Sequence, residues 1–150
     1  MRFFLAGLLL VAAAESAALA CSCVAPGTPE ESRGFAREAV RNAVAIVEVD
    51  VLSEYSPGGG ELVRVVRTLW GEAPGEVRLA RSEFAGGTSC DLRLARGQRK
   101  RLILSRGQGG RFVMQNLCSD FLLGDGGYLD VTLDEARRSG GAASPAGERG

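Results

Sequence analysis

Val47-Glu48-Val49-Asp50-Val51 is the stretch that decides the fold class. Three valines alternate with two carboxylates, so the valines share one face of an extended chain and the acids the other. That is a half-buried β-strand, and it starts where the apolar period changes at Ala43. The strand reading spreads outward from here. Over residues 61–70, Val63 and Val65 alternate with arginines, and the doubled Val65-Val66 breaks the alternation as a β-bulge does. Residues 53–60, with Pro57-Gly58-Gly59-Gly60, read as a flexible loop between the two strands. After a turn over 71–75, Val77 and Leu79 alternate with Glu76, Arg78 and Arg81 in a third strand. Residues 84–89 form a Gly-rich loop leading to Cys90, and 101–105 with 111–118 form a hairpin across the turn at 107–110.

Helical periodicity flanks these strands. Thr28 can cap a helix with Pro29 at its first position and Glu31 three residues on. Phe35, Ala36, Ala39 and Val40 then recur at helical spacing over 32–42. A second short helix is expected over 129–138, and the Gly/Ala/Ser/Pro-rich residues 139–150 read as a disordered tail. Five short strands, Gly-rich turns and one helix at each end predict an all-β fold with minor α. The natural candidate is a five-stranded Greek-key barrel of the OB type, although a sandwich fits the composition almost as well.

Residues 1–20 carry a different signal. Arg2 precedes an apolar run over 3–14, and Ala18-Leu19-Ala20 supplies the small-residue cleavage site of a secretory signal peptide. The run is too short to span a bilayer, which takes roughly 20 apolar residues. Cleavage after Ala20 leaves 130 of the 150 residues, one domain over 21–138 and the tail, with Cys21 as the first mature residue. The expected location is periplasmic or secreted. The 18 basic and 18 acidic residues balance, and still balance once Arg2 and Glu15 leave with the signal. A neutral, aromatic-poor chain offers little to nucleic acid. There is no histidine, which excludes Ser-His and Cys-His catalysis and zinc sites built on imidazole.

Cys21, Cys23, Cys90 and Cys118 are an even set in an exported chain, which reads as two disulfides. Joining Cys21 to Cys23 would strain a one-residue loop, so each reaches a distant partner, and two pairings remain open. Either one ties the mature terminus to the domain, each bond contributing at most roughly 4 to 5 kcal/mol, not additively, by chain-entropy arguments.

In these residues the chain resembles the N-terminal domain of the tissue inhibitors of metalloproteinases, within the netrin-like group of OB folds. The matching features are Cys21-Ser22-Cys23-Val24 directly after the cleavage site, Pro26, and the helix running into a strand over 35–51. Trp70-Gly71, Ser89-Cys90 and the hairpin ending at Cys118 complete the set, so the likeness covers about residues 21–123. It implies the pairing Cys21–Cys90 and Cys23–Cys118. It also implies a non-enzymatic function without a cofactor: the Cys21 α-amine and carbonyl chelate the catalytic zinc of a metalloproteinase partner. Ser22 would enter the protease's main specificity pocket, Val24 would lie along the cleft, and Thr88 and Ser89 would form the second strip of the contact ridge, with Cys23 and Cys90 also among the protease-binding residues. A monomer is expected. Two features of the family have no counterpart in these residues: a third disulfide in the inhibitory domain and the cysteine-rich C-terminal half.

Other readings compete. The Cys-x-Cys pair could only staple a netrin-like extracytoplasmic interaction domain that inhibits nothing. Lipidation of Cys21 would use its thiol and block its amine, and Ala18-Leu19-Ala20 is a poor lipoprotein signal. Cys21 and Cys23 as a metal or redox pair would have to stay reduced outside the cytoplasm. Arg96, Arg99, Lys100 and Arg101 could bind a polyanion or simply form a solvated turn. Glu48, Asp50 and Glu54 are acidic residues near one another, yet the first two alternate with valines and read as a solvent face rather than a glycosidase pair.

Overall fold

A computed structural model of the chain describes residues 26–54, 60–80, 94–114, 122–124 and 128–140. Helix α1 (Pro29–Val40) starts with the expected reciprocal cap. The Thr28 hydroxyl accepts the Glu31 N–H at 3.2 Å, while the Glu31 carboxylate accepts from the Gly27 and Thr28 N–H groups at 2.8 and 3.0 Å. Gly34 sits inside this helix with nothing within 4 Å of where a Cβ would stand. Gly34→Ala is therefore expected to stabilise the protein by about 0.5–1 kcal/mol, read as a higher urea midpoint at unchanged slope.

Five strands follow: β1 (Ala43–Val51), β2 (Glu61–Gly71), β3 (Glu76–Ala80), β4 (Arg99–Arg106) and β5 (Phe112–Met114). A 3₁₀ turn at Gln108–Gly110 joins the last two, and α2 (Tyr128–Gly140) completes the described chain. The strands close into a barrel in the order β1-β2-β3-β5-β4, antiparallel throughout except for the parallel β3–β5 pair. This is the OB-type arrangement, an all-β fold with minor α.

The barrel interior has a period of two, which is why the valines of β1 alternate. Ala45, Val47, Val49 and Val51 point inward with Val63, Val77, Leu79, Leu102 and Leu104. A second apolar cluster lies outside the barrel wall, where Ile46, Ile103, Leu69 and Trp70 meet Ala39 and Val40 of α1 and Leu129, Leu133 and Ala136 of α2. Ala45, Ile46 and Val47 are therefore all buried, so the first half of β1 is covered on both faces and only its second half is half-buried as expected.

β2 carries two bulges. Opposite Glu48 and Val49 stand Arg67 and Val65, which leaves Val66 as the extra residue, 45% exposed, where the doubled valine places it. Opposite Ile46 and Val47 stand Trp70 and Thr68, which leaves Leu69 over. The second bulge lets consecutive residues Leu69 and Trp70 both turn to the helices, and nothing in the sequence announces it.

Two expectations are corrected. The helical spacing puts Phe35 on the buried face of α1, yet it is 52% exposed. The helix buries the stripe Ser32, Ala36 and Val40 instead, and Phe35 stands about 100° of helix rotation off the Ala36 position. The last helix runs one residue earlier and two later than expected, so Ser139 and Gly140 belong to α2 and not to the tail. A Cβ on Gly140 would come within 2.8 Å of the Trp70 ring, so the helix ends against that indole.

Candidate functional site

Cys21, Ser22, Cys23, Val24, Thr88, Ser89, Cys90 and Cys118 lie outside the described residues, as do both proposed disulfides, the signal peptide and the tail beyond Gly140. What the described residues establish is where the segments carrying them join the fold. The N-terminal segment enters at Pro26, directly before the Gly27–Thr28–Glu31 cap. Thr88, Ser89 and Cys90 belong to the connection that leaves β3 after Ala80 and is described again from Leu94. Cys118 lies four residues beyond Met114, the last residue of β5.

β3 and β5 are parallel neighbours, with Leu79 beside Phe112 and Ala80 beside Val113. They therefore discharge their chains in the same direction and side by side. The β3–β4 connection returns at a tight, bonded turn: Gln98 N–H donates to Ala95 O at 3.0 Å, Gly97 N–H to Val51 O at 2.8 Å, and Val51 N–H to Gln98 O at 2.9 Å. The β1–β2 connection opens at the same end, where Leu52 N–H donates to Leu62 O and Leu62 N–H to the Ser53 hydroxyl. The β1–β2 connection and the return of the β3–β4 connection thus share one end of the barrel, toward which β3 and β5 also run.

Across the wall runs a ladder of opposed charges. Glu48 stands between Arg67 and Arg101 in register, with Arg67 Nη2 at 3.1 Å and Arg101 Nε at 4.0 Å from its Oε2. Asp50 stands between Arg64 and Arg99, and Arg99 grips its carboxylate with two hydrogen bonds of 2.8 and 3.1 Å. The Arg99 guanidinium holds the Asp50 carboxyl below its ordinary range, and Asp50 in turn raises Arg99. Arg101 also donates to the Leu123 carbonyl at 3.0 Å. The basic run of the sequence is thus divided: Arg99 and Arg101 meet carboxylates on the outer wall, while Lys100 stands opposite Val49 on the other side of β4.

A depressed carboxyl pKa stabilises the native state above the unfolded value of 3.8, and that contribution is lost as the pH falls through the native value. Asp50→Asn is expected to lower stability slightly at neutral pH and to match wild type in strong acid. Urea titrations of both proteins between pH 7 and pH 2 check this, and a gap that widens toward low pH would contradict it. The effect is small because the pair is solvated.

Two carboxylates are buried, and the sequence alone does not single them out. Glu61 is 1% exposed at the start of β2, on the inward parity of Val63 that its spacing already implied. Glu135 on α2 is 3% exposed and receives Arg37 from α1 and Arg138 from its own helix. Among the described residues no group of three or more His, Cys, Asp or Glu is placed to hold a metal, and no helix is long and apolar enough to cross a membrane. No family model matches the chain, and no curated protein or solved structure matches it either.

Proposed function

We propose that the chain is an exported inhibitor of zinc metalloproteinases that acts through its mature N-terminus, as the tissue inhibitors of metalloproteinases do. The observation that carries the reading is Cys21-Ser22-Cys23 immediately after Ala18-Leu19-Ala20, on a chain whose described residues close into an OB-type barrel. A catalytic zinc keeps one coordination position open for water. The Cys21 amine nitrogen would replace that water and the Cys21 carbonyl oxygen would add a fifth ligand, closing a five-membered chelate ring. Rigidity decides whether such a chelate forms, since each freely rotating bond at the terminus adds an ordering cost on binding. Disulfides Cys21–Cys90 and Cys23–Cys118 would supply it. That pairing scheme comes from the resemblance; the parallel β3–β5 pair, which sends the chain on from both strands in one direction, is compatible with it and with the alternative pairing alike.

In this reading Ser22 fills the specificity pocket of the protease, Val24 follows the cleft, and Thr88 and Ser89 beside Cys90 make the second strip of contact. The test compares two folded proteins: the mature chain with a free Cys21, and the same chain with one alanine ahead of it. Both are titrated against a panel of zinc proteases. Inhibition by the first alone supports chelation. Inhibition by neither, with the fold intact, favours an extracytoplasmic interaction domain. Intact mass separates both from the acylated form.

A further inference from the structure

The helix that follows the mature N-terminus is poorly equipped to hold itself in place. α1 has 12 residues and buries only Ser32, Ala36 and Val40. A helix that short is marginal in isolation, and two of its three anchors are too small to bury much apolar surface. Its position depends on α2, which meets it through the cluster containing Val40, Leu133 and Ala136. At that junction lies Glu135, whose side chain is 4% exposed. Its Oε2 accepts from Arg37 Nε across the helix pair at 3.3 Å, and its Oε1 accepts from Arg138 at 3.2 Å. Both arginines are about two-thirds exposed, at 66% and 65%, so the buried partner is the carboxylate.

Apolar packing between small side chains leaves a helix free to slide or rotate at little cost. A buried carboxylate gripped from both helices does not, because any slip strands a charge in the interior. We propose that Glu135 is a positioning residue: it locks α1 to α2 and so sets the direction from which the N-terminal segment enters the fold. The cap at Thr28 and Glu31 extends this order to Gly27, six residues from Cys21. The C-terminal helix thereby serves the opposite end of the chain. The consequence for inhibition rests on the zinc-chelation reading; the lock itself does not.

The experiment uses the mature chain with Glu135→Gln and Glu135→Met, the second keeping packed volume without any pairing. Amide hydrogen exchange is followed for α1 and for β1 in the same samples, alongside inhibition of zinc proteases. The lock predicts about tenfold faster exchange confined to α1 in both variants, β1 unchanged, and weaker inhibition at an unchanged thermal midpoint. Equal acceleration in α1 and β1, or none in either, overturns it, since Glu135 would then be ordinary core or dispensable. If the wild-type chain inhibits no zinc protease, chelation falls while the exchange comparison still decides the lock.

Discussion

Gly71→Ala is expected to cost on the order of 3–5 kcal/mol, a large part of the roughly 5–15 kcal/mol that holds a single domain together. Gly71 ends β2 at φ +74°, where an L-residue loses about 1–2 kcal/mol by conformation alone. The greater part comes from position. A Cβ there would stand 2.1 Å from the Val44 carbonyl oxygen and 2.9 Å from the Ala45 Cα. Both are backbone atoms of β1, so no rotamer can relieve the clash. β1 cannot retreat either, because it pairs on its far side with β4, Ala45 opposite Leu104. The control is Gly109, also left-handed at φ +66° but with nothing within 4 Å of a Cβ. Gly109→Ala should show the conformational cost of about 1 kcal/mol alone. Thermal unfolding of both variants isolates the steric part, with a fall of about 10 °C or more expected for Gly71→Ala. Equal losses in the two proteins would mean that β1 yields, and the rigid barrel wall would have to be abandoned.

The sequence is most legible where a single environment governs a whole strand. Val47, Val49 and Val51 face one barrel interior, so their spacing announces the strand, its inward face and, through Glu48 and Asp50, its solvent face. The bulge at Val66 is legible because two adjacent valines cannot share one face of a regular strand. The bulge at Leu69 is not, since it appears only once two helices cover that end of β2 and draw Leu69 and Trp70 to the same side. Phe35 misleads for a related reason. Helical period says which residues align, but which neighbouring residue of an aligned set centres the buried stripe is set by where the partner elements lie. Arg99, Lys100 and Arg101 look like one basic cluster in one dimension, and a strand sends them alternately to opposite sides. Of the candidate site, the anchoring points at Pro26, Ala80, Leu94 and Met114 are described, and the site residues themselves lie beyond them.

One added residue ahead of Cys21 tests the proposed mechanism most severely, and the expected result is a loss of inhibition of about 1000-fold or more. The chelate needs a nitrogen with an available lone pair one bond from the carbon next to a carbonyl. An α-amine qualifies, because it titrates near pH 8 and reaches its neutral form at small cost. An amide nitrogen does not, since its lone pair is delocalised into the peptide bond. Adding alanine converts the Cys21 nitrogen from the first kind to the second and moves the amine outward by about 3.4 Å, past the zinc. A thousandfold loss corresponds to about 4 kcal/mol, a modest figure for removing a bidentate metal ligand. The same chemistry fixes a pH dependence of definite sign. Below the amine's pKa a proton competes with zinc, so inhibition by the free-Cys21 protein should weaken as the pH falls through the range 8 to 6, by up to tenfold per unit. The alanine-extended protein should retain the same unfolding midpoint, because the added residue lies outside both proposed disulfide loops and ahead of every described strand. A pH-independent inhibition constant, or equal inhibition by both forms, would place the contact elsewhere on the barrel end and leave the terminus with a purely structural part to play.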